Sequence, residues 1–198
     1  MRPTTRAEQF SLLYPDEPSY RWKQVEKALF VPQAKNFADI TNLPKAMREK
    51  LTAIPWISIQ PERVYISQKK DTYKAVLMTS DGLRFESVLM ENMRGQWTIC
   101  VSSQVGCAMK CTFCATGAMG LKRSLTSDEI ADQYRFWNTF LAEHPEMHSR
   151  ISNVVFMGMG EPLANYENVK TAIALWLKNT DLGPTRITVS SVGVLMQL

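Results

Sequence analysis

No apolar run in this 198-residue chain approaches the roughly 18–20 residues of a membrane-spanning helix. The opening "MRPTTRAEQF" has no apolar core of the secretory type, so the expected location is the cytoplasm, with no membrane partner. There are no internal repeats and no low-complexity tracts. Cysteine is scarce: Cys100, Cys107, Cys111 and Cys114 are the whole complement, four thiols within fifteen positions. In a reducing compartment such a cluster points to metal binding or chemistry rather than to structural disulfides.

The rest is ordinary. Hydrophobic residues make up 45% and charged residues 21%, the balance of a globular protein. The length allows one sizeable core, or one core and a small companion. The net charge of +4 is unevenly placed. Residues 1–99 carry 15 basic and 11 acidic groups, and residues 100–198 carry 8 of each. A basic first half suits a polyanion such as RNA; a mildly basic solvated surface has the same composition.

The first 60 residues read as short helices of a small module. Ser19 is a candidate cap for "YRWKQVEKALF", whose Trp22, Val25, Ala28 and Leu29 fall at helical spacing. Pro32 ends that helix, and "NLPKAMREKL" begins another with Pro44 in its first turn. The pattern then changes. "RVYIS", "YKAVLM" and "RFESVLM" are β-type runs, with "SDG" at 80–82 as a hairpin turn, and "QWTICVSS" is the next strand. Strands and helices alternate from there. "TSDEIADQYRFWNTFLAEH" opens with Thr126 and Glu129 as a capping box, and "ISNVVFMGMG" is a buried-type strand. "NYENVKTAIALWLKN" is a helix with Asn165 as its cap, and "RITVSSVG" is a third buried strand. Alternation of this kind predicts parallel β/α units with sites at the strand ends.

Cys107, Cys111 and Cys114 form C-x3-C-x2-C in a loop after a strand. Three thiolates so placed can each hold one iron of a four-iron cluster and leave the fourth iron open. Two other readings stand beside this one. All four cysteines together make a zinc site, although gaps of six, three and two residues are not the separated pairs of a zinc knuckle. Alternatively, Cys100 supplies a fourth ligand and the cluster only transfers electrons.

C-x3-C-x2-C with Phe113 before its last cysteine resembles the radical S-adenosylmethionine (SAM) superfamily. Together, "TICVSSQVGCAMKCTFCATG", "GMGEPLANYENV" and "RITVSSVG" resemble the radical SAM methylases of adenosine C2 in 23S ribosomal RNA and transfer RNA, and the related C8-methylating resistance enzymes. The resemblance implies an α/β fold: the N-terminal half of a partial (βα)6 barrel over residues 97–198, preceded by a small helical RNA-binding domain (1–60) and a β-hairpin linker (61–96). It implies a [4Fe-4S] cluster on Cys107, Cys111 and Cys114, and SAM chelated by the open iron and cleaved to a 5′-deoxyadenosyl radical by an external electron donor. Gly160 and Glu161 match the motif that binds the amino end of SAM. A glycine-rich turn lets backbone approach a ligand, and a carboxylate pairs with an ammonium group; alone, "GMGEP" is an ordinary strand-to-helix turn. Ser190 matches a SAM-contacting serine. Glu86 matches the acid/base glutamate, with Glu91 as its nearby competitor. Cys100 matches the cysteine that resolves a covalent protein–RNA intermediate, a role that needs a lowered pKa and access.

The family mechanism also needs a methyl-carrying cysteine far downstream, and no cysteine follows Cys114. The later barrel strands are absent as well. The expectation is a truncated member, inactive in methylation by itself, whose missing C-terminal half or a partner chain would cover the sheet edge after Val189. The rival expectation is a non-catalytic iron–sulfur module that binds RNA or a partner.

Overall fold

A computed structural model describes residues 3–147 and 150–194. The chain opens with α1 (Arg6–Leu13), α2 (Ser19–Leu29) and α3 (Lys45–Leu51), with a 3-10 turn at Phe37–Asp39. Thr5 and Glu8 form a capping box that starts α1. The Ser19 cap is not made: Ser19 is the first helical residue, and Pro18 holds the cap position with no side-chain bond. Pro44 likewise sits just outside α3, its fixed φ setting the chain's entry without a hydroxyl. Phe10, Val25, Leu29, Phe37, Met47 and Leu51 close these short elements around a small core of their own.

The strands follow: β1 (Ile59–Ile66), β2 (Thr72–Thr79), β3 (Arg84–Glu91), β4 (Trp97–Cys100), the two-residue β5 (Gln104–Val105) and β6 (Arg123–Ser124), then β7 (Ile151–Phe156) and β8 (Ile187–Val189). Between them lie the single turn α4 (Ala115–Ala118), α5 (Ser127–Glu143) and α6 (Tyr166–Asn179). Six strands make one sheet in the order β1-β2-β3-β4-β7-β8, while β5 and β6 pair separately. Neighbours from β1 to β4 are antiparallel; β4–β7 and β7–β8 are parallel. The hairpin strands therefore continue the β/α sheet directly and share its core.

Period-two alternation decides which face is covered. On β2, Tyr73, Ala75, Leu77 and Thr79 are buried, and Lys74, Val76 and Met78 face the other way. Phe85, Leu89, Trp97 and Ile99 join the buried face, where Ile130, Tyr134, Trp137 and Leu141 of α5 and Val169, Ala172 and Trp176 of α6 pack. Trp97, Trp137 and Trp176 are fully buried. Truncating any one to Ala is worth roughly 3–5 kcal/mol. Each indole N–H has an acceptor, respectively Met147 O at 3.2 Å, Ser87 Oγ at 3.0 Å and Ala131 O at 3.3 Å.

The opposite face of the sheet carries half-exposed side chains. β8 departs from the expectation of a buried strand. Ile187 is half-buried and the next two residues are exposed, because β8 is an outer strand with β7 on one side only.

The Thr126–Glu129 capping box is formed and α5 starts where expected. Its first turns are buried all round because the helical module docks on them. Arg6 makes a two-pronged bond to Asp132 at 2.7 and 2.9 Å, and Arg135 reaches the same carboxylate at 2.5 Å. Arg135 also donates to Leu29 O and Trp56 O, carbonyls of the module. Burial works to raise the Asp132 pKa, but the two guanidinium groups outweigh it and hold the carboxyl below its ordinary range. At Asp128 burial, helped by the neighbouring Asp132 charge, outweighs the pull of Arg6 and Arg135 and pushes the pKa up.

Candidate functional site

The parallel strands β4, β7 and β8 end on one side of the sheet, and the expected site residues lie there. β5 and β6 pair antiparallel, Gln104 opposite Ser124 and Val105 opposite Arg123, and so close the base of a loop over residues 106–122. Gly106 (φ +78°) lies so close to Gly120 that a Cβ on it would stand 1.8 Å from the Gly120 carbonyl oxygen. The Cys107 N–H donates to that same oxygen at 3.2 Å. Arg123 fastens the base from outside, bonding Glu129 of α5 with two nitrogens (2.8 and 2.7 Å) and Asp81 at the β2–β3 turn with two more contacts (2.8 and 2.7 Å). The Arg123 contact holds the Asp81 carboxyl far below the ordinary range.

Cys107, Cys111 and Cys114 all sit on this loop as free thiols, the first buried and the others half-exposed. Gly117 packs against the Cys111 backbone, where an added Cβ would meet Cys111 N at 3.0 Å. Backbone N–H groups of Gly117 and Thr116 point at the Cys114 sulfur and lower its pKa. The Met109 N–H reaches Cys107 Sγ at 3.5 Å. Phe113 is 91% exposed and Met119 55%, so the loop presents apolar side chains beside its thiols. Among the described residues no three His, Cys, Asp or Glu side chains are gathered around a single-ion position. A four-iron cluster sets a different requirement, since each thiolate binds its own iron. Three unpaired thiols on one glycine-permitted loop, with amide donors for the charged sulfur, fit such a group.

The glycine-rich turn after β7 is built against the end of β4. The Gln133 side-chain amide of α5 accepts from Ser102 N (2.8 Å) and donates to Ser102 O (2.9 Å), replacing a strand neighbour where β4 leaves the ladder. Ser102 Oγ donates to Glu86 O at 2.6 Å and accepts from Met159 N at 2.8 Å. Gly158 has room only for hydrogen beside Ser102 Oγ. Gly160 (φ +99°) lies against Gln104, whose Cβ would stand 2.6 Å from an added one. Gln104 Oε1 accepts the Glu161 N–H at 2.9 Å. Glu161 is buried, and its carboxylate accepts from Leu163 N, Ser191 Oγ and Val192 N at 2.9, 2.6 and 3.0 Å. Its partners from the segment after β8 are therefore Ser191 and Val192, and Ser190 and Ser191 are both exposed. Asn165 stands at the α6 cap position but makes no cap bond. Its amide donates instead to Ser103 O and Leu125 O, tying α6 to both sides of the cysteine loop's base.

Glu86 faces the uncovered side of the sheet, half-exposed, with Lys74 Nζ 3.0 Å from its carboxylate. Glu91, the competitor, is exposed at the strand's far end. Cys100 shares the Glu86 face by register but is buried; burial raises its pKa, against the smaller pull of the Met157 backbone N–H.

Against this geometry the comparisons with known proteins are direct. Residues 101–197 match the family model described as the radical SAM superfamily. The chain carries a radical SAM domain. Its first residue lies just beyond β4, so the matched segment takes in both the cysteine loop and the glycine-rich turn after β7. The whole chain is similar to the dual-specificity RNA methyltransferase RlmN of Desulfotalea psychrophila, 39% identical over 92% of this chain and 52% of that protein. It is also similar to the probable RlmN of Aquifex aeolicus, 42% identical over 90% and 50%. A solved radical SAM methyltransferase from Sphaerobacter thermophilus superposes with a TM-score of 0.80 at 36% identity, covering 95% of this chain and 55% of that one. The chain thus spans about half the length of the curated relatives it matches. Radical SAM domains use a [4Fe-4S] cluster and S-adenosylmethionine. No helix among the described residues is long and apolar enough to cross a membrane.

Sequence reasoning did not find Gln104, Ser102, Gln133, Ser191 or Arg123. A buried glutamine or serine carries no periodic signal, and its role appears only once the strand ends are brought together.

Proposed function

We infer that this chain supplies the radical-initiating half of an RNA methyltransferase acting on C2 of adenosine in 23S ribosomal and transfer RNA, in the cytoplasm, with an external electron donor. The observation that carries this is the placement of a three-thiol loop and a glycine-rich turn side by side at the carboxyl ends of parallel strands, with Glu86 at the same end of the uncovered face. Cys107, Cys111 and Cys114 would hold the cluster, which when bound supplies the electron that cleaves SAM. Gly160 gives the backbone approach for the amino end of SAM, Glu161 orders that wall through Leu163 and Ser191, and Ser190 faces out beside it. Glu86, held by Lys74, takes the proton from the target base. Cys100 is the thiol that would resolve a covalent intermediate, and its burial means that it must be uncovered first. No further cysteine in these 198 residues is left to carry a methyl group. The expected product of this chain alone is therefore 5′-deoxyadenosine without methylated RNA.

The test is anaerobic reconstitution with iron and sulfide, then metal analysis and a SAM-cleavage assay with reductant. A brown protein that yields 5′-deoxyadenosine, and a Cys111→Ala variant that yields none, is the expected result. A colourless or zinc-bound protein that leaves SAM intact would overturn it and favour a binding module.

A further inference from the structure

The uncovered sheet face has a second feature that the cluster and the SAM wall do not use. Strand register sets Tyr65, Lys74, Val88, Cys100, Val155 and Thr188 in one transverse row, each opposite the next. The adjacent row holds Arg63, Val76 and Glu86. At the β1 end of these rows the Arg63 guanidinium lies 4.8 Å from the Tyr65 ring centroid and Lys74 Nζ lies 5.8 Å from it. Lys74 then reaches Glu86 at 3.0 Å. Tyr65 remains 46% exposed and Ile66 57%. Two cations and one exposed ring thus stand on the face that carries Glu86, Arg63 and Tyr65 two strands away from it and Lys74 on the strand between.

A solvated cation–π pair at a sheet edge adds little to folding and does not by itself explain a large aromatic left in water. The same grouping suits a single-stranded nucleic acid, in which bases stack on aromatic rings or guanidinium planes and phosphates meet the cations. Arg63 and Lys74 supply the positive charge on this face itself, and the basic excess of residues 1–99, 15 against 11, favours the approach of a polyanion. We propose that Tyr65, Arg63 and Lys74 form a platform for single-stranded RNA: a nucleotide flanking the target stacks on Tyr65, its phosphate meets Arg63, and the strand is led along the row toward Glu86. This rests on the RNA reading above and names its contact surface.

The test is fluorescence anisotropy of the full chain with a short labelled single-stranded RNA, with heparin as a polyanion that has no bases. Tyr65→Ala should weaken RNA binding about tenfold, leave heparin binding unchanged and keep the salt slope of the wild type. Tyr65→Phe, which keeps the ring, should bind within about twofold. Arg63→Gln should lower the salt slope by about one. RNA binding that survives Tyr65→Ala, or a loss shared equally by heparin, would overturn the platform while leaving the RNA reading standing. A wild-type chain that binds heparin but no RNA would overturn both. Circular dichroism melts of each variant separate misfolding from lost contact, and Tyr65→Phe, which removes only an exposed hydroxyl, supplies a folded comparison.

Discussion

Two stretches lie beyond the ends of the parallel strands β4 and β7, and they are held in different ways. The turn after β7 is locked from within: Gly158 and Gly160 lie against Ser102 and Gln104, and Glu161 is buried with three donors on its carboxylate. The loop after β5 is fastened mainly at its base, by Gly106 against Gly120 and by Arg123, with Gly117 tucked against the Cys111 backbone, while the side chains of Cys111, Phe113 and Cys114 stay half-exposed or exposed. The frame of the site is fixed by the chain's own hydrogen bonds. The thiols are left for something else to satisfy.

Substitutions can break or sharpen this contrast. The largest effect should come from Gly160→Ala, which adds a 2.6 Å clash to a left-handed backbone. Together these cost about 3 kcal/mol, or roughly 6–12 °C in a thermal melt. Gly120→Ala in the loop has the same left-handed strain but nothing within 4 Å, so about 1–2 kcal/mol is expected; equal losses would erase the distinction. Gln133→Ala should cost about 2–3 kcal/mol, because the Ser102 N–H and C=O are left buried without partners, read by urea unfolding. Asp81→Asn should act at neutral pH, with its effect fading in acid. The folded Asp81 pKa is depressed, so its stabilisation is present above the unfolded value near 4 and is lost as pH falls through the folded value. The variant's stability should therefore be lower at neutral pH and flatter below about pH 4. Smallest in stability is Cys111→Ala, expected within about 0.5 kcal/mol of the metal-free wild type yet unable to take up the iron–sulfur cluster.

The α/β alternation, the α5 capping box and the hairpin turn were legible because each is a local pattern. The cysteine loop was legible as a spacing. Ser19 misled because a proline made the same turn, and β8 misled because a β-branched run does not say whether a neighbour lies beyond it. Glu86 was visible only through family resemblance, and the structure gives it a place on the uncovered face with Lys74. Gln104 and Gln133 were invisible because their partners are 57 and 31 residues away.

Asp132 and Gln133 are consecutive on α5. One receives Arg6 from the helical module; the other grips Ser102 at the end of β4. A single helical turn therefore acts as a shared bracket. Any tilt of the module is felt at the point where the strand gives way to the cysteine loop, so the distance between the N-terminal surface and the reactive end is set by a rigid strut, not by a linker.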